Sequence, residues 1–164
     1  MESIYALVMQ IVMQYGTRDP FEIAEYLGIY LKVADIGRQQ GFFRYIDGVP
    51  CIFISSRLNM FQRILVCAHE LGHYFLHSDI AKESVLREFG MFNMKNVIEH
   101  EANVFAAELL LDEDELLEHF EEGYTVFQAA SMLGYNINLL YIKLDGMNKR
   151  GYDFDLSWGN SELF

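Results

Sequence analysis

From Ile64 to Leu76 the chain reads Ile-Leu-Val-Cys-Ala-His-Glu-Leu-Gly-His-Tyr-Phe-Leu, an apolar run broken by two histidines and one glutamate. Asn59 and Gln62 stand in capping-box positions ahead of it, so the spacing predicts a helix over about Asn59 to His77. His69 and His73 are four residues apart and lie on one helical face, with Glu70 beside the first. Polar groups at that spacing inside an apolar helix need partners, and a metal ion supplies them. The pattern HExxH therefore points to tetrahedral zinc with two histidines, one further protein ligand and a water. In such a site zinc acidifies the water and polarises the scissile carbonyl, while the glutamate moves the proton to the leaving amine.

The third ligand must come from elsewhere. The next helical segment, Asn96 to Leu111, contains Ile98-Glu99-His100-Glu101-Ala102-Asn103. Glu99 and Glu101 face about 160 degrees apart, so only one can meet the metal. Glu99 is favoured, because Ala102, Asn103 and Ala106 continue its face with small side chains that let the two helices approach closely. Asn103, four residues on, is placed to orient a histidine. Glu101 is then expected to be a solvated carboxylate, and two ordinary surface glutamates are the alternative to any ligand here. His77 extends the series His69, His73, His77 but lies about 12 Å along the axis from His69, too far to share one ion. It is assigned a structural or supporting role, and His100 and His119 are expected at the surface.

Around this motif the chain reads as α+β. Ile4 to Tyr15 is an amphipathic helix stopped by Gly16, and Asp19-Pro20-Phe21-Glu22 starts a second, short helix closed near Gly28. Tyr30 to Ile54 is rich in aromatic and β-branched residues, with Asp47-Gly48 as a two-residue hairpin turn, which predicts a small, mainly antiparallel sheet of about three strands. Pro50 cannot donate to a ladder, so its strand should lie at an edge or begin outside the pairing. A polar stretch from Ser78 to Lys95 separates the two motif helices. Seven of the eleven residues from Asp112 to Glu122 are acidic and read as a solvated helix face. Val126 to Leu133 and Ile137 to Asp145, joined by Gly134-Tyr135-Asn136, have a helix-turn-helix outline. Two parts are expected, a metal-binding domain over 1–122 and a helical extension over 123–164.

The formal net charge of -12 repels phosphate backbones and anionic lipid. The second helix of the outline carries one basic residue, Lys143, and suits packing or partner binding better than a major groove. Direct nucleic-acid binding is therefore not expected, and no segment reads as a signal peptide or a membrane span. Cys51 and Cys67 read as reduced core thiols of a cytoplasmic protein.

HELGHYFLH followed by IEHEANVFAAELL, with Glu99 26 residues after His73, resembles the ImmA/IrrE family of zinc metallopeptidases. These bacterial and mobile-element proteins relieve repression by cleaving a helix-turn-helix repressor. The resemblance covers mainly Asn59 to Leu111. It implies a zincin-like fold, with His69, His73 and Glu99 as zinc ligands, Glu70 as general base, Asn103 in support, and a repressor as the protein substrate. The family often has a proline soon after its second motif, where this chain has Leu111-Asp112. An extended substrate can also add to an exposed sheet edge, for which the hairpin around Asp47-Gly48 is the candidate, with simple core support as the alternative. Two competing functions stand beside proteolysis: DNA binding through the last two helices, and a zinc-bound module that holds a partner without cutting it.

Overall fold

The structure, a computed structural model, describes residues 3–82 and 92–159. Its elements follow the order α1 (Ile4–Tyr15), α2 (Pro20–Tyr26), β1 (Tyr30–Ala34), β2 (Gly41–Ile46), β3 (Val49–Ser55), α3 (Met60–Lys82), α4 (Phe92–Leu110), α5 (Glu113–Glu121), α6 (Val126–Leu133) and α7 (Ile137–Lys149). Among the described residues the chain is thus α+β, with seven helices and one three-stranded sheet. It divides into two units, 1–110 and 111–164. The sequence reading drew its division after residue 122, whereas here α5 belongs with α6 and α7.

In the first unit, helix ends follow local chemistry. The Ser3 hydroxyl accepts from the backbone N–H of Ala6 and Gly16 closes α1 at φ 70°. The Asp19 carboxylate accepts from the Phe21 N–H, and Pro20 opens α2. Asn59 and Gln62 exchange side chain to backbone bonds of 3.0 Å each, a complete capping box for α3. Arg18, in the α1–α2 loop, donates to the carbonyls of Glu108 and Leu109 at 3.0 and 3.2 Å, and so satisfies the open C-terminal end of α4.

The strand order is β1-β3-β2. Asp47 (φ 50°) and Gly48 (φ 81°) form the expected tight turn between β2 and β3, which pair antiparallel. β1, however, pairs parallel with β3, so the sheet is mixed and not mainly antiparallel. A turn signal reports only pairing between sequence neighbours; each β1 residue pairs with one 21 residues further on and leaves no such signal. β3 takes the centre because it is the most apolar strand, with Cys51, Ile52 and Ile54 buried. Pro50 is tolerated there because β1 begins pairing only at Cys51, and on the other side Tyr45 and Pro50 follow the closing Ile46–Val49 pair in register. That register makes them a non-hydrogen-bonded pair. The sheet packs on α3, where the Phe43 and Tyr74 rings meet edge to face at 5.8 Å. Cys51 and Cys67 are free and buried, as expected.

The stretch read as a polar linker from Ser78 to Lys95 falls partly outside the described residues; α3 runs into it as far as Lys82 and α4 starts at Phe92. Backbone geometry does leave the helical region at His77 (φ -130°, ψ 16°), the position where the sequence set the helix end. No helix among the described residues is long and apolar enough to cross a membrane.

In the second unit, Thr125 and Gln128 form a capping box, Gly134 ends α6 at φ 73°, and Asn136 starts α7. The acidic segment becomes α5, with Asp112 as its N-cap and three acids in the first turn, where the helix dipole favours them. One of these, Glu113, is not simply solvated. It lies 3.6 Å from the ammonium of Lys143, which is fully buried, and 2.6 Å from the Arg150 guanidinium. Partial burial works against its charge, but the Arg150 and Tyr152 hydrogen bonds and the Lys143 charge outweigh it and hold the carboxyl below its ordinary range. Glu113→Gln should therefore destabilise this unit by roughly 2–3 kcal/mol, read by thermal unfolding at neutral pH. The lowered group stabilises above the ordinary carboxylate pKa, so the difference from the native chain should close as pH falls below about 4.

Candidate functional site

Two glycines set the positions of the polar groups. A Cβ on Gly72 would lie 3.0 Å from Ala102 Cα, 3.1 Å from its carbonyl oxygen and 3.1 Å from Phe105 Cβ, so α3 and α4 touch here at backbone distance. Ala102, Phe105 and Ala106 are fully buried around the contact, which is the close approach that the small residues of α4 predict. On the sheet side, a Cβ on Gly41 would lie 2.3 Å from Val66 Cγ1 and 3.2 Å from Glu70 Oε1. β2 is thereby seated against the helix at Glu70. The sequence reading missed Gly41, since a glycine at the start of a strand carries no chemical signal of its own.

His69, His73 and Glu99 converge, with one ligand atom from each within 4.8 Å of the others. His69 Nε2 and His73 Nε2 are 3.1 Å apart; Glu99 places Oε2 3.3 Å from the first and Oε1 3.8 Å from the second. A tetrahedral ion with bonds of about 2.0–2.1 Å has ligand–ligand edges of about 3.3 Å, so the spacing fits a metal. Hydrogen bonding agrees. His69 Nδ1 lies 2.9 Å from Asn103 Oδ1, an acceptor, so Nδ1 carries the proton and Nε2 presents a lone pair. Nitrogen lone pairs and a carboxylate facing one another form a donor set that a cation satisfies.

The local field has the same sense. Burial opposes charge on His69, yet the hydrogen bond to Glu99 and the negative charges of Glu70 and Glu99 outweigh it and raise its pKa. The facing rings of His69, then His73, whose cationic forms the carboxylate stabilises, hold the Glu99 carboxyl well below the usual range. Glu70 is buried, and burial pushes its pKa up despite the neighbouring histidines and a hydrogen bond from the Phe43 backbone N–H. Burial also pushes the Cys67 thiol far up, which leaves it an inert thiol, not a nucleophile.

Glu101, expected to be a solvated carboxylate, is 42% exposed but also bonded within the protein. Its Oε2 lies 2.9 Å from His77 Nε2, and His77 Nδ1 lies 3.1 Å from His73 Nδ1. His77 thus keeps the i,i+4 contact with His73 that helical spacing gives, and the close packing of α3 on α4 brings Glu101 to its other nitrogen. His100 is exposed, as expected.

The chain is similar in sequence to known proteins. Residues 24–131 match the peptidase family described as the IrrE N-terminal-like domain. Over 141 residues the chain is 33% identical to a protein of Bacillus phage phi105 named uncharacterized immunity region protein 2, covering 85% of this chain and 88% of that protein. Over 126 residues it is 30% identical to metallopeptidase ImmA of Bacillus subtilis (strain 168), covering 76% of this chain and 73% of the relative.

Because the Gly72 contact is with backbone and Cβ atoms, Gly72→Val should force α4 away from α3. Denaturant unfolding should show a loss of roughly 1–3 kcal/mol.

Proposed function

Because the chain belongs to the ImmA/IrrE family, we propose that it is a zinc-dependent endopeptidase of zincin-like build. Its substrate in this reading is a protein, a helix-turn-helix transcriptional repressor whose cleavage relieves repression. The observation that carries the reading is the convergence of two Nε2 lone pairs and the Glu99 carboxylate beside a buried glutamate on the same helix. The similarity to a metallopeptidase and to a phage immunity region protein supports the peptidase chemistry and the link to mobile elements.

His69, His73 and Glu99 hold the ion, and Asn103 fixes His69 by accepting its Nδ1 proton. Bound zinc supplies Lewis acidity, which acidifies water and polarises a carbonyl. Glu70 is the general base: its carboxylate takes a proton from the attacking water as oxygen bonds to the carbonyl carbon, and returns it to the amide nitrogen as the C–N bond breaks. Its raised pKa makes it a stronger base than an exposed glutamate, and the Phe43 N–H on β2 aims it. β2 is an edge strand, so an extended substrate adding along it passes beside Glu70.

Nucleic acid and membrane have no part in this reading. The net charge is unfavourable to both, Lys143 of α7 is buried, and Lys149 pairs with Asp145 at 2.6 Å. The reduced thiols suit a cytoplasmic location.

Elemental analysis after dialysis should find one zinc per native chain, the same in Glu70→Gln, and none in Glu99→Ala. Mass spectrometry of new protein N-termini should show cleavage of a helix-turn-helix protein in cells making the native chain. That product should fall by at least about 100-fold with Glu70→Gln. Identical N-termini from the two zinc-loaded proteins would leave only a binding role.

A further inference from the structure

We infer that Glu101 and His77 form a positioning chain behind His73, in which the carboxylate sets the tautomer of one ring and that ring sets the tautomer of the next. The inference rests on the zinc-site reading and extends it to two residues outside the ligand set.

The proton positions follow from the contacts. Glu101 Oε2 only accepts, so His77 Nε2, 2.9 Å away, carries a hydrogen. Neutral His77 then has its lone pair on Nδ1. His73 Nδ1, 3.1 Å from it, must donate, and His73 is left with its lone pair on Nε2, the atom that faces His69 and Glu99. His73 thus acquires the orientation that Asn103 imposes on His69, by a longer route. His77 is only 6% exposed, so both its nitrogens need partners, and both have them. A simple tie between α3 and α4 needs only the Glu101 contact. The Nδ1 to Nδ1 approach makes the ring a link to the metal ligand, held where the backbone leaves helical geometry.

Two substitutions separate these roles. Asparagine places an oxygen near the position of His77 Nδ1, so His77→Asn keeps an acceptor for His73 and gives up Glu101. His77→Gln places an amide near Nε2, keeping the Glu101 tie and giving up His73. Zinc affinity of the full chain, measured by competition with a chromophoric chelator, should fall about 10–100-fold in His77→Gln and His77→Ala and stay within about threefold in His77→Asn. Glu101→Ala should weaken the native chain yet add less than about twofold to His77→Ala, because it acts through that ring. Ring ¹⁵N shifts of His73 in metal-free protein should show a protonated Nδ1 in the native chain and His77→Asn, and a tautomer mixture in His77→Gln. Should His77→Ala not fold, the Asn and Gln pair decides alone. Native protein that binds zinc while these two variants bind it equally, or Gln rescuing where Asn does not, overturns the chain. Native protein that takes up no zinc overturns the zinc-site reading itself, and the chain with it.

Discussion

The closeness of α3 and α4 at Gly72 and Ala102 governs the candidate centre. With no side chain on one helix and a methyl on the other, the backbones meet at contact distance, and the long side chains flanking that point are pushed together. Glu99 reaches His69 and His73 only because of this approach. Leu71, Phe105 and Ala106 are fully buried around it, and the two histidines are mostly shielded, so their ring nitrogens are satisfied chiefly by their neighbours or by a cation. One packing contact therefore creates both the geometry and the electrostatic demand.

The sheet contributes through its edge. β3, the apolar strand, is central, which leaves β2 outermost and brings Gly41 and the Phe43 N–H against Glu70. Burial raises the basicity of this carboxylate, while the histidines and the backbone donor moderate the effect. A fully solvated glutamate would be a weaker base, and an unsatisfied buried one would cost more to hold.

The second unit uses charge differently. Lys143, the basic residue that the sequence offered for nucleic-acid contact, is consumed internally by Glu113, itself part of what the sequence presented as a solvated acidic face. A linear reading sees each charge among its sequence neighbours and assigns it to solvent. The fold pairs charges that are thirty residues apart.

Local chemistry was fully legible. The Asn59–Gln62 box, the Asp47-Gly48 turn, the Gly16 and Gly134 stops and the shared face of His69 and His73 follow from interactions within four residues, which the unfolded chain already encodes. Glu99 and Asn103 were reachable because helical spacing distinguishes faces. What lay beyond reach depended on contacts between distant segments: the parallel pairing of β1 with β3, Gly41 behind Glu70, and the contact of His77 with Glu101. Periodicity defines the face a residue occupies, but only packing decides what stands opposite it. The amino-acid sequence by itself determined which atoms can bind a metal, and the tertiary structure decided which of them meet.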